Sequence, residues 1–143
     1  MLAPNEQQIF LIDEDDVVRD SLKVLLESHG MAVRDYRSAA AFLEDMDKPR
    51  GGCLVLGYNR AIAKGLDLVA TLARRGIAMP AIFIVGGGDA FTREAALAAG
   101  AFAYIERPVE ETALIRAVGA ALARKGGRAT AAETATSTAP VRN

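Results

Sequence analysis

Five short β-rich runs, each followed by a stretch of helical periodicity, constrain the fold of this chain more than any other feature. The runs cover residues 8–12, 32–36, 53–56, 81–85 and 103–105. Three of them, IFLI, CLVL and AIFIV, are continuously apolar, which is typical of parallel strands buried on both faces. These three runs are therefore predicted to form the central strands of a sheet.

The segments between the runs have the spacing of amphipathic helices. Val18, Leu22 and Leu25 fall on one stripe of the first helix, and Ser38 and Asp89 are predicted N-caps of the second and fourth helices. The predicted helices cover residues 17–28, 39–46, 66–75, 89–99 and 110–124. Strand and helix alternate five times, which predicts an α/β protein with a doubly wound, five-stranded parallel sheet and right-handed crossovers.

The length of the chain favours one domain, which we place at residues 8–124 after an N-terminal extension of residues 1–7. The composition changes after Arg124. The segment 125–143, KGGRATAAETATSTAPVRN, is small and polar and has no apolar period, which predicts a disordered C-terminal tail. The alternative interpretation is a tether that once led to an output domain.

Charge and cysteine content exclude several classes of protein. The chain has 17 basic and 18 acidic residues, and the basic ones are scattered, so we expect no nucleic-acid partner. Cys53 is the single cysteine; this excludes an internal disulfide and suits a reducing compartment. No signal pattern or membrane-length apolar run is present. We therefore expect a cytoplasmic protein without membrane contact.

The chemistry of a doubly wound fold is expected at the carboxyl ends of its strands. Four carboxylates, Asp13 to Asp16, follow the first predicted strand. They could bind a hard divalent cation, or they could only stabilise a helix N-terminus. Gly86, Gly87 and Gly88 follow the fourth strand, and such a loop can hold an anion. No Gly-Lys-Ser/Thr signature follows them, so a small α/β enzyme using this loop is a distant alternative.

The sequences IFLIDEDDVVRDSLKVLLESHG, CLVLGYNRAIAKGLDL, PAIFIVGGGD and AGAFAYIERPVEE resemble the CheY-like receiver domain of two-component response regulators. The resemblance covers about residues 8–124 and implies the (βα)5 flavodoxin-like receiver fold. In that family, two acidic residues after the first strand and an aspartate after the third bind magnesium, and the aspartate accepts a phosphoryl group. Asp13 and Glu14 match the acidic pair. Gly57 stands where the acceptor aspartate belongs.

Two further positions depart from the family pattern in the same direction. Val85 stands at the position of the family's Ser/Thr hydroxyl and Arg107 at that of its lysine, whereas Tyr104 matches the aromatic switch position. Glycine has no side-chain oxygen to form an acyl phosphate, and valine has no hydroxyl to donate. The resemblance with these departures implies a degenerate phosphorylation site at Gly57, Val85 and Arg107.

We therefore predict a stand-alone pseudo-receiver that is not an enzyme and acts through protein–protein interaction. The resemblance implies as partner a sensor histidine kinase, another response regulator or a second copy of the chain, bound through the fourth helix, fifth strand and fifth helix. No cofactor is expected beyond weak or absent magnesium binding by Asp13 and Glu14. The alternative is a receiver gated by metal or small-anion binding at this residual acidic pocket.

The residual acidic pocket also predicts a specific contact. Asp13 and Glu14 repel each other unless a cation or proton intervenes. Arg107 leaves the fifth strand beside the same pocket in this family, and its guanidinium can bind a carboxylate through two parallel hydrogen bonds. We expect Arg107 to contact Asp13 or Glu14; the alternative is that Arg107 points into solvent.

Overall fold

A computed structural model describes residues 8–45, 52–59 and 62–123. In these ranges five strands alternate with five helices: β1 (Gln8–Asp13), α1 (Asp16–Ser28), β2 (Ala32–Tyr36), α2 (Ala39–Asp45), β3 (Cys53–Asn59), α3 (Ala63–Arg74), β4 (Ala81–Gly86), α4 (Ala90–Ala98), β5 (Ala103–Glu106) and α5 (Glu111–Ala123). The strands form one parallel sheet in the order β2-β1-β3-β4-β5. The predicted doubly wound α/β fold is confirmed. The predicted extension 1–7 and tail 125–143 lie outside the described residues.

Two elements, β3 and α3, extend three residues beyond the predicted bound at one end. β3 continues past Leu56 because Tyr58 and Asn59 pair with Val85 and Gly86 of β4. α3 begins at Ala63, three residues before the predicted start. Its first turn contains Gly65, a weak helix former, but Gly65 is buried where a Cβ would meet the Tyr58 and Phe83 rings. Pairing and packing between elements thus set bounds that local periodicity did not.

The sheet is covered by a helical layer on each face, as the continuously apolar strands require. One core layer joins α1 and α5 to alternate strand residues such as Leu11, Val55 and Ile84. The other joins α2, α3 and α4 to the intervening residues, including Val85 and Tyr104. Side chains of successive strand residues point to opposite faces. Each strand therefore supplies both cores.

Acidic and hydroxyl side chains cap the N-termini of α1, α2 and α4. The Asp15 carboxylate accepts hydrogen bonds from the backbone N–H groups of Val17 and Val18 at the start of α1. Ser38 and Asp89 cap α2 and α4, as the sequence predicted. No helix in the described ranges is long and apolar enough to cross a membrane.

Candidate functional site

The carboxyl ends of β1 and β3 meet at one edge of the sheet, where Asp13 lies beside Gly57 in the parallel register. Both residues continue the alternation that faces α1 and α5. A cleft of about 490 Å³ opens at this edge. It is lined by Asp13, Glu14, Asp15, Gly57, Tyr58, Ala63, Lys64 and Arg107. The acidic cluster, Gly57 and Arg107 thus share one cleft.

An ion pair between Asp13 and Arg107 forms the floor of the cleft. Arg107 Nη2 donates to Asp13 Oδ2 at 3.0 Å, and the two side chains are 21% and 6% exposed. Asp13 Oδ1 accepts from the backbone N–H of Asp15 at 2.9 Å. The expected contact with Asp13 is present. The expected pair of parallel hydrogen bonds is wrong: Arg107 makes a single hydrogen bond to Asp13, and the other carboxylate oxygen accepts from the N–H of Asp15.

Gly57 lies directly against this ion pair. Gly57 is buried, and a Cβ built on it would collide with Asp13 Oδ2 and lie 2.9 Å from Arg107 Nη2. Such separations are too close for a Cβ atom, so any side chain at this position must displace the pair. The space that a side chain at position 57 would enter is therefore filled by charged groups of the same chain.

Glu14 does not share the buried position of Asp13. Its side chain is 64% exposed, and its carboxylate contacts Lys64 Nζ of α3 at 3.1 Å. The sequence analysis missed Lys64, because no local pattern indicates a contact between residues fifty positions apart. The predicted acidic pair is thus divided between two cations, with Asp13 on Arg107 and Glu14 on Lys64.

The remaining two acids of the cluster are also satisfied by the chain itself. Asp15 caps α1, and Asp16 accepts from Arg19 Nη2 at 2.6 Å. Within the described residues, no three His, Cys, Asp or Glu side chains are grouped to hold a metal ion. The residues present do not form a complete magnesium site, because position 57 supplies no carboxylate and the carboxylates of Asp13 and Glu14 are each paired with a cation of the chain.

Arg19 of α1 links the ends of β1 and β2, and this contact was not predicted from the sequence. Its Nη1 donates to the Asp13 carbonyl at 2.8 Å and its Nε to Asp35 Oδ2 of β2 at 3.0 Å. Lys23 Nζ lies 3.4 Å from the other oxygen of Asp35. Burial alone would raise the pKa of Asp35, but the hydrogen bonds from Arg19 and Lys23 outweigh it and hold that pKa below its usual value.

Tyr58 forms an apolar wall of the cleft, against Phe83 of β4. Burial, and then the negative charges of Glu14 and Asp13, raise the pKa of Tyr58 to about 12. The phenol therefore stays neutral near pH 7, and its hydroxyl is a donor. Burial also raises the pKa of the Cys53 thiol to about 12, so its nucleophilic thiolate form is suppressed.

Val85 and Tyr104 lie away from the cleft, in the core layer beneath α2, α3 and α4. Val85 is fully buried and Tyr104 is 1% exposed. The Tyr104 hydroxyl has no hydrogen-bond partner in the described part of the chain, and it lies where a Cβ on Gly88 would be. The structure therefore brings Asp13, Gly57 and Arg107 together, whereas Val85 and Tyr104 form a separate corner.

Most of the chain matches a known protein family. The sequence pattern of the response regulator receiver domain matches residues 9–119. The chain belongs to the response regulator receiver domain family. It is a signalling domain of the two-component type, and its fold matches the solved receiver structures.

Individual relatives of this receiver domain agree. The chain is 40% identical over 121 residues to the transcriptional regulatory protein FixJ of Azorhizobium caulinodans, covering 85% of this chain and 57% of the relative. It is 37% identical over 117 residues to the response regulator protein TmoT of Ectopseudomonas mendocina, covering 82% and 53%. The receiver domain thus spans little more than half the length of these curated relatives.

Solved structures give the same fold. The crystal structure of FixJ-N aligns with a TM-score of 0.76 and 33% identity, covering 87% of this chain and 98% of that one. A response regulator receiver protein from Burkholderia phymatum aligns with a TM-score of 0.70 and 33% identity, covering 83% and 97%. These structures therefore share the receiver fold with the chain described here.

Proposed function

We propose that this receiver domain signals by binding proteins and accepts no phosphoryl group at the family position. The observation that supports this most directly is Gly57, which is buried against the Asp13–Arg107 ion pair. Formation of an acyl phosphate requires a carboxylate oxygen. The acceptor position has none, and the space beside it holds a carboxylate and a guanidinium that are already bound to each other.

Charge compensation within the chain supports a module that needs no input cation. Each acid of the cluster has its own partner: Arg107 for Asp13, Lys64 for Glu14, the α1 N-terminus for Asp15 and Arg19 for Asp16. Repulsion between neighbouring carboxylates is therefore relieved without metal. A cleft whose charges are all paired within the chain keeps one conformation without a bound cation, which suits a constitutive binding module.

The acceptor proposal is tested with a small-molecule phosphoryl donor. The purified chain is incubated with acetyl phosphate and magnesium and then weighed by intact mass spectrometry. We expect no phosphoryl adduct, while a receiver that carries the acceptor aspartate gains one under the same conditions. A stoichiometric adduct on the native chain would falsify the proposal.

Gating by metal or a small anion has weaker support. A metal must compete with Arg107 for Asp13 and with Lys64 for Glu14. A small anion must enter the same cleft, where three carboxylates line the wall and the two cations, Arg107 and Lys64, are already paired with two of them. Calorimetric titration with magnesium and with inorganic phosphate separates these alternatives, and we expect no saturable heat from either.

For partners, we propose the face formed by α4, β5 and α5, occupied by a histidine kinase, another response regulator or a second copy of the chain. Phe91 supports this face, because its side chain on α4 is 78% exposed and exposed aromatic residues are frequent binding anchors. Phe91→Ala is expected to weaken association at least about tenfold, measured by sedimentation for self-association and by titration for an isolated partner.

Val24→Ala is the matched control for this face. Val24 is also an exposed apolar residue, 59% exposed, but it lies on α1, which is not one of the three elements of the proposed face. It is expected to leave association unchanged. Equal weakening by both variants, or by Val24→Ala alone, would place the contact elsewhere.

A further inference from the structure

The Tyr104 side chain is buried on the side of the sheet that α4 covers. The residue is 1% exposed, and its hydroxyl is without a partner among the described residues. Around the position of a Cβ built on Gly88, the nearest atoms besides the Tyr104 hydroxyl are methyl carbons of Val85 and Thr92. A buried hydroxyl without a partner is unfavourable, so something else must favour the inward position of the ring.

Gly88 supplies the space for that hydroxyl. A Cβ built on Gly88 would collide with Tyr104 Oη and lie 3.0 Å from Val85 Cγ1. The backbone of Gly88 is outside the left-handed region, so its conformation is one that alanine adopts without strain. The position therefore excludes a side chain because of the tyrosine and not because of the backbone.

We propose that the absence of a side chain at Gly88 is what allows Tyr104 to stay inside the fold in the absence of any input. The aromatic switch position of this chain is then fixed in the buried state, and the surface around β5 has a single form. Phe91, three residues further along, becomes the aromatic side chain that a partner meets. The significance of this device for signalling rests on the proposed function, but the contact itself is testable separately.

A double-mutant cycle tests the contact. Gly88→Ala is expected to raise the equilibrium constant of unfolding at least about tenfold when Tyr104 is present, as overpacking does. In the Tyr104→Phe background, where the colliding oxygen is removed, the same substitution should have a clearly smaller effect. Gly119→Ala is the control, because a Cβ there meets nothing within 4 Å and should show no coupling to Tyr104→Phe.

Ring accessibility gives an independent measurement. The chain has three tyrosines, so their ¹³C-labelled ring resonances can be assigned by replacing each with phenylalanine in turn. A soluble gadolinium chelate should leave the Tyr104 resonance of the native chain unbroadened and should broaden it in Gly88→Ala. Protection in both proteins, exposure in both, or additive effects in the cycle would overturn the proposal.

The result is separable from that of the phosphorylation test. A phosphoryl adduct on the native chain would overturn the proposed function and leave the cycle unaffected. Additivity in the cycle would overturn the role of Gly88 and leave the absence of an acceptor unaffected. If Gly88→Ala fails to fold, recovery of folding in the double variant with Tyr104→Phe supports the contact, and failure of both contradicts it.

Discussion

Gly57 and Gly88 lie towards opposite faces of the sheet, and neither position has room for a side chain. The groups that fill the space differ between the two positions. Gly57 lies against a buried ion pair whose charges compensate each other. Gly88 lies against a buried hydroxyl without a partner among the described residues. The first corner depends on electrostatic attraction, whereas the second depends on the space that Gly88 leaves for the ring. Changes of charge should therefore affect the first corner and leave the second intact.

The largest expected effect comes from removing the cation of the first corner. Arg107→Ala leaves the Asp13 carboxylate buried without its counter-charge, and breaking a buried pair costs about 3–5 kcal/mol. We expect the free energy of unfolding to fall by about 3 kcal/mol, the lower end of this range, because the Arg107 side chain is 21% exposed and water reaches it. The free energy of unfolding in urea gives the value.

Lys64→Ala is the matched control for this prediction. It also removes a cation from a carboxylate of the cleft, but the Glu14–Lys64 pair is exposed on both sides, and such pairs contribute about 0–1 kcal/mol. Similar losses in both variants would show that Asp13 is not effectively buried and would remove the electrostatic half of the comparison.

A smaller effect is expected from giving the first corner a side chain. Gly57→Ala should lower the free energy of unfolding by about 1–3 kcal/mol, because the added Cβ displaces the ion pair. Gly119→Ala, within α5 where an added Cβ meets nothing within 4 Å, should instead raise the free energy of unfolding by about 0.5–1 kcal/mol, since alanine is the better helix former. Thermal and urea unfolding of both variants check the signs. A neutral Gly57→Ala would mean that the pair moves aside freely.

The smallest effect concerns acid stability through Asp35. Its pKa is lower in the folded chain than the ordinary value of 3.8, so its ionised form stabilises the fold above that value and the contribution disappears as the pH falls through the folded pKa. Asp35→Asn should reduce the difference in unfolding free energy between pH 7 and pH 3 by about 1 kcal/mol or less. An unchanged difference would contradict the role of Arg19 and Lys23.

The architecture was predictable because its signals are local. Three continuously apolar runs located β1, β3 and β4, and the helical stripes located the layers between them. The contact of Arg107 with Asp13 also followed, once the strand ends were aligned by family resemblance. The roles assigned to Gly57, Val85, Arg107 and Tyr104 in phosphorylation and switching stay predictions.

What the sequence did not reveal depends on contacts between distant segments. Lys64 meets Glu14 across fifty residues, and the room that Gly88 leaves for Tyr104 becomes visible only in three dimensions. Two hydrogen bonds between Arg107 and Asp13 were predicted, and the structure has one. The other Asp13 oxygen accepts from the backbone N–H of Asp15, a contact that a pattern of residue types does not indicate.

The position of the two cations in the cleft has a consequence for how it responds to dissolved salt. Between 0.1 M and 1 M ionic strength, the Debye length falls from about 10 Å to about 3 Å, and screening acts on exposed charges far more than on buried ones. The Glu14–Lys64 pair at the mouth is exposed, whereas the Asp13–Arg107 pair at the floor is largely shielded. Concentrated salt should therefore loosen the entrance of the cleft while its floor keeps the same geometry.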